Sequence, residues 1–260
     1  MIDINRNRLN ILVAQPVRLP TARELRREGR VFFVGGELPV NETLETMFAS
    51  FCTESTDLFY LSFGEPETVA GGLELARQIR KNFNVRLMAK FDYPVPVHIA
   101  EHAYAAGVDI IDITSPGSHE TSGGVAESLR AARSVFPRWS VASTLPLGAE
   151  PLEVTCDRID MLLADGIVPL AILNGERSGT TEEVSAALRH LTAGWKANQV
   201  TIKPLLPLVV VTTPLVPVEQ AGLLRGFIDR LEERRLLAAA DLRRHLRVKV
   251  GEDSLDSAAL

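Results

Sequence analysis

The sequence predicts an α/β chain built as a parallel (β/α) barrel, closed or partial, followed by a C-terminal helical segment. Three observations predict it. Apolar runs of strand length alternate with amphipathic stretches along most of the 260 residues. Those runs are apolar on both faces, as strands are when helices cover a parallel sheet on either side. No Gly-rich dinucleotide turn follows the first run, which disfavours a doubly wound sheet and favours a TIM-like barrel of about six to seven βα units.

Residues 1–30 are polar, with the Arg-rich stretch "TARELRREGR", and read as an N-terminal arm or cap. The barrel is assigned to residues 31–216. "RVFFVGGELP" is its first strand, and the helix in "NETLETMFASFC" follows with Asn41 as its N-cap and Glu45 in its first turn. "DLFYLSFGEP" leads into "ETVAGGLELARQIRKNF", and "VRLMAKFDY" into "VPVHIAEHAYAAG". "VDIIDITSPG" precedes "GGVAESLRAARSVF", "WSVASTLPLG" precedes "EPLEVTCDRIDMLLADG", and "IVPLAILNGE" precedes "TTEEVSAALRHLTAGW". "QVTIKPLLPLVVV" reads as a seventh strand. Gly107 and Gly166 stand where helices end and supply the left-handed stop. Residues 217–250 are dense in Leu and Arg at helical spacing, a segment that packs on the barrel or on a partner. Residues 251–260 read as a frayed tail.

With 46% hydrophobic and 23% charged residues the chain can bury a sizeable core. A net charge of −5 gives no footprint for nucleic acid or an anionic membrane. The N-terminal residues lack a signal-peptide pattern, and the most apolar run, "PLLPLVVVTTPLVP", is too short and Pro-broken to span a bilayer. A cytoplasmic protein is expected. Cys52 and Cys156 are far apart and outside any C-x-x-C spacing, so they are expected as two buried thiols in a reducing compartment, with no metal or cluster.

Barrel chemistry sits at the C-terminal ends of the strands. Read in order, those ends present Glu37, Glu65, Lys90 with Asp92, Asp112 with Ser115, Ser143 with Thr144, Asn174 with Glu176, and Lys203. Converging on one mouth, they make a polar pocket of carboxylates and amines, suited to a small-molecule ligand. The loops "TSPGSHETSGG" and "NGERSGTT" precede helices, where free N–H groups favour an anion or are capped by Ser and Thr. "HIAEH" has the spacing of an inverted zinc-peptidase motif, but Ile99, Ala103 and Ala106 are the stripe that faces the sheet. His98 and His102 then lie on the outer flank, and no metal is expected. Lys90, with Glu65 and Asp112 as acid–base partners, is the set a lyase, aldolase or transferase would use on a small anionic substrate.

The order of these parts resembles the radical S-adenosylmethionine superfamily, in its biotin-synthase-like branch. "LSFGEP" is similar to that superfamily's glycine–glutamate–proline turn, whose backbone contacts the amino group of the cofactor. "AGVDIIDITSPGS" resembles its fourth strand. "STLPLGAEPLEVTCDRIDMLLADGIVPLAIL" is similar to its fifth strand, the following turn and helix, and the sixth strand. The resemblance implies that Gly64, Glu65, Pro66, Asp112, Ser115, Ser143 and Asn174 face S-adenosylmethionine or a related metabolite. It departs at one decisive place. The family holds an iron–sulfur cluster on three cysteines after the first strand, and "FVGGELPVNETLETMF" has none. What the resemblance then implies is a cluster-free, accessory or non-catalytic subunit. It would assemble with a catalytic partner, or with a second copy of itself, through the C-terminal helices. "MAKFDYPVPVHIAEHAYAAGVDIIDI" is also loosely similar to pterin- and folate-dependent barrels such as dihydropteroate synthases, whose other signatures are absent.

Overall fold

The computed structural model describes residues 2–52, 54–114, 122–173 and 179–217. Six parallel strands form the frame: β3 (Val31–Gly35), β4 (Leu58–Ser62), β5 (Arg86–Phe91), β6 (Ile110–Ile113), β7 (Val141–Pro146) and β8 (Val168–Ile172). Their spatial order is their chain order. A short strand, β2 (Leu25–Glu28), adds antiparallel to the free edge of β3. Helices α2 (Val40–Phe51), α3 (Val69–Asn82), α4 (Val97–Ala105), α5 (Ser122–Val135), α6 (Leu152–Ala164) and α7 (Thr181–Ala197) connect the strands.

The register shows how the sheet curls. One cross-strand row runs Gly35, Ser62, Lys90, Asp112, Ala142, Val168. It starts on the last residue of β3 and ends on the first residue of β8. That stagger is the tilt by which parallel strands bend into a barrel. The barrel is not closed, because β2 and β8 are its two edges and do not pair. It is a half-barrel.

The seventh strand expected at the end of the barrel is a helix. Residues Lys203–Leu205 form a 3-10 turn and α8 follows over Leu206–Thr212. Pro204 and Pro207 explain this. Each removes a ladder donor a central strand would need, and each is tolerated in the first turn of a helix. α8 packs against both β8 and β3, filling part of the gap between the sheet edges. Residues 1–30, expected as an arm, give β1 (Ile2–Ile4), α1 (Arg6–Ala14) and β2. β1 pairs antiparallel with β9 (Leu215–Pro217) in a second, two-stranded sheet. The C-terminal segment 217–250 lies outside the described residues after Pro217, as does the tail.

Strand alternation sorts the core into two faces. Phe32 and Phe59 point outward; Phe59 meets Phe51 of α2 and Phe83 at the end of α3, with ring centroids 6.5 and 5.2 Å apart. Phe33 and Tyr60 point inward and meet edge to face at 5.3 Å. Such pairs add about 1 kcal/mol each beyond simple burial. Gly107 (φ 105°) and Gly166 (φ 70°) are the left-handed stops the sequence predicts. The N-cap of α2 lies two residues earlier than expected: it is Pro39, whose carbonyl accepts from the N–H and hydroxyl of Thr43, leaving Asn41 inside the first turn. The cysteines are not both buried, since Cys52 ends α2 in solvent and Cys156 on α6 is half-exposed. Among the described residues no helix is long and apolar enough to cross a membrane.

Candidate active site

The C-terminal edge of the sheet has two corners of different character. At the first, residues 15–24 pass over the strand ends as a strap. The Val17 N–H donates to Leu173 just past β8, the Ser62 hydroxyl donates to Pro20 O at 3.1 Å, and the Glu37 N–H donates to Ala22 O. Glycine at 35 is required here: a Cβ would lie 2.3 Å from Ala22 O.

Beside the strap, Glu37 fills the Gly64–Glu65–Pro66 turn. Its Oε2 accepts from Arg23 Nε at 2.6 Å, and its Oε1 accepts from the Thr68 hydroxyl at 3.3 Å. The Glu65 backbone N–H also donates to this carboxylate. Arg23, acting against the cost of burial, holds the Glu37 carboxyl below its usual range. The carboxylate lies against Gly64 so closely that a Cβ there would come within 2.0 Å of Oε1. The Glu65 carbonyl accepts both the N–H and the hydroxyl of Thr68, and the Pro66 carbonyl accepts from Val69. The turn is therefore braced by the chain's own residues, and the Glu65 side chain is exposed.

The second corner, at the ends of β5–β7, is built around Lys90 and Asp112. They are register partners on adjacent strands and point to the inner face. Lys90 is 9% exposed, and its Nζ lies 2.6 and 2.7 Å from the two carboxylate oxygens of Asp92, which stands in solvent. Asp112 is fully buried. Its Oδ1 accepts from the Thr144 N–H at 3.0 Å and the Thr114 hydroxyl at 3.3 Å; its Oδ2 accepts from the Thr144 hydroxyl at 2.7 Å. Burial pushes the Asp112 carboxyl above its ordinary value, and the Thr144 bond and Lys90 charge only partly offset this. A buried carboxyl raised in this way beside an amine is the kind of perturbed group that clusters at functional sites.

Beneath them lies Tyr60, on the same face one alternation below Ser62. Its hydroxyl is fully buried and directed at the Asp112 carboxylate. Burial first, then the charges of Asp112 and Asp92, raise it well above an ordinary phenol. Tyr93, packed on Phe91, is raised by burial and by Glu65 and Glu67.

Of the residues expected at the mouth, the structure brings Ser62's neighbours Lys90, Asp92 and Asp112 together with Thr144. Ser143 faces the other way, its hydroxyl donating to Ile113 O at 3.0 Å, because alternation puts it opposite Thr144. Glu37 and Glu65 meet each other at the braced turn. Lys203 ends no strand and sits in the 3-10 turn before α8. Ser115, Asn174 and Glu176 lie outside the described residues, as does most of each loop considered for anions. The described end of the second loop is capped by itself: Thr180 and Glu183 form a reciprocal capping box on α7. His98 and His102 are both exposed on α4, and among the described residues no group of three His, Cys, Asp or Glu is placed to hold a metal. Tyr60, Thr114 and the strap were not anticipated. The signal for Tyr60 was its period-two spacing from Ser62.

No family model matches the chain, and no curated protein does. Among solved structures it is similar to the crystal structure of Yersinia pestis dihydropteroate synthase, at 15% identity and a TM-score of 0.40, over 67% of this chain and 72% of that one.

Proposed function

We propose that the protein is a half-barrel enzyme acting on a small carbonyl compound, in the lyase, aldolase or transferase class. Lys90 is the amine that engages the carbonyl, Asp92 takes the proton the ammonium gives up, and Asp112 is the acid–base group. The observation supporting this reading is the register pairing of a buried lysine with a fully buried carboxyl at the C-terminal edge of parallel strands. Charged groups in such a place are costly to fold and are kept where chemistry uses them. The test is reductive trapping. The protein is incubated with glycolaldehyde, pyruvate or 4-hydroxy-2-butanone and borohydride, and the modified peptide is identified by mass spectrometry. An adduct confined to Lys90 is expected. Modification spread over the exposed lysines, or none, rejects the reading.

A second reading, a non-catalytic subunit that binds S-adenosylmethionine and docks on a catalytic partner, is favoured by one observation. The Gly64–Pro66 turn persists beside a first strand without cysteines. Its test is a thermal shift with S-adenosylmethionine, which should stabilise the protein and lose its effect in Gly64→Ala. No shift would remove this reading.

A further inference from the structure

On the strand that carries Lys90 stands a second cation, which the fold leaves unanswered. Arg86 is the first residue of β5 and lies on the inner face with Met88 and Lys90, two alternations below the amine. At about 3.3 Å per residue the two cations are about 13 Å apart along the strand, at opposite ends of the sheet. Arg86 is 9% exposed, and its Nε is sealed from solvent with no hydrogen-bond partner. The carboxylates flanking it at that end are committed elsewhere. Asp57, just before β4, takes Arg30 at 2.7 Å, and Asp109, just before β6, takes the Leu87 N–H and Arg80. Other guanidiniums withdrawn from water are answered: Arg27 and Arg80, whose side chains are 14% and 13% exposed, stand 3.0 and 3.6 Å from the carboxylates of Glu54 and Asp109.

An arginine can bury its stem and keep its head in water. Here part of the head itself, Nε, is out of water. A buried charge without a counter-charge is costly. A lysine or histidine so placed can become neutral by giving up its proton, but an arginine cannot, so the charge of Arg86 persists.

We infer that Arg86 anchors an anion site at the N-terminal end of the half-barrel, separate from the Lys90 corner, and that its ligand is a small oxyanion, a carboxylate or a phosphate. The guanidinium presents its N–H groups as a fork, and two parallel donors match two oxygens of such a group. A halide or a neutral carbonyl offers only one acceptor atom. The 9% of the residue that meets solvent is the side from which the anion enters. The site does not depend on the reading of Lys90, whose borohydride adduct neither supports nor removes it.

The test keeps the full chain in inorganic phosphate, acetate or chloride at equal ionic strength, as wild type, Arg86→Lys and Arg86→Met. Two quantities are followed: Tm, and the NMR signal of the Arg86 Nε–H, assigned as the one missing from both variants. In wild type, phosphate and acetate should raise Tm saturably by about 3 °C over chloride and shift that signal. Arg86→Lys keeps the charge without the fork and should need about tenfold more anion for the same rise. Arg86→Met should lose the response and melt no lower than wild type in chloride, since an unmet charge has gone. If Arg86→Met does not fold, the Arg86→Lys comparison decides alone. Equal melting of wild type in all three salts, or a rise that survives undiminished in the variants, overturns the site. The competing source of charge is the chain's own Asp229, Glu232 and Glu233. A wild-type signal that ignores phosphate and acetate but moves when Asp229→Asn, Glu232→Gln and Glu233→Gln are combined would mean that the anion is built in, and would overturn the ligand site.

Discussion

At the β3–β4 corner, the Glu37 carboxylate meets Arg23, the Thr68 hydroxyl and the Glu65 N–H, and the strap lies over the strand ends. At the β5–β7 corner, the buried Asp112 carboxylate accepts from the N–H and hydroxyl of Thr144, and the Lys90 amine leans on a solvent-exposed Asp92. Both corners come from the same edge of one sheet. The first has been filled by the chain itself, so its polar groups serve the fold. The second keeps an amine at the solvent boundary beside a buried carboxyl that burial raises above its ordinary value. Satisfied polar networks rigidify a structure, whereas perturbed titratable groups at a strand-end edge mark a candidate site. The glycine–glutamate–proline turn drew attention in the sequence, yet it belongs to the filled corner.

Substitutions can break this contrast, beginning with the largest effect. Gly35→Ala places a methyl group against the backbone of Ala22, which cannot rotate away, so the strap must lift. A loss of about 3 kcal/mol in urea unfolding is expected. An unchanged midpoint would show that the strap is not seated on β3.

At the second corner, Asp112→Ala strands the Thr144 N–H and hydroxyl and should remove about 2 kcal/mol. The same residue gives a pH signature. Its carboxyl is raised in the folded state from an ordinary 3.8. Its contribution to stability is therefore complete below the ordinary value and is lost as pH rises through the folded value. Unfolding midpoints taken from about pH 3.5 to about pH 7 should show a fall in wild type that Asp112→Asn lacks. Parallel profiles would mean that Asp112 is not held away from water.

Tyr60→Phe should cost about 1 kcal/mol, because it removes the hydroxyl directed at Asp112 and leaves the ring in place. An unchanged midpoint would show that the phenol does not reach the carboxylate. The smallest effect is expected far from both corners. The double change of His98 and His102 to Gln on the exposed face of α4 should shift stability by less than about 0.5 kcal/mol, and a loss of bound zinc would contradict the placement of both residues.

Much of this frame could be read from residue pattern alone. Six strands and their helices announce themselves because each is a continuous apolar run followed by a helical period, and those signals are local. Lys90, Asp92 and Asp112 followed from the same reading, since the end of a parallel strand is a local feature too. The failures have equally specific causes. "KPLLPLVVV" has strand-like composition, but two prolines decide for a helix. Ser143 was placed one residue out of phase, and a single step along a strand reverses the face. Tyr60 was not singled out, because nothing inside "LFYL" sets it apart; only its position beside Asp112, two strands away, does so. The strap was illegible for the same reason. Its bonds reach strand ends up to 156 residues distant in sequence, from Val17 to Leu173.

The pairing of β1 with β9 has a consequence for how the molecule assembles. From β3 to β8 each strand finds its neighbour directly before it in the chain, so the sheet can be laid down as the ribosome delivers it. β1 has no partner during that time. It is made before the sheet and can be zipped only after Leu215–Pro217 have left the exit tunnel, across the widest loop closure in the described chain. An early element is thus the last to be fixed, and nascent chains halted before β9 should hold a formed sheet behind a loose leading end.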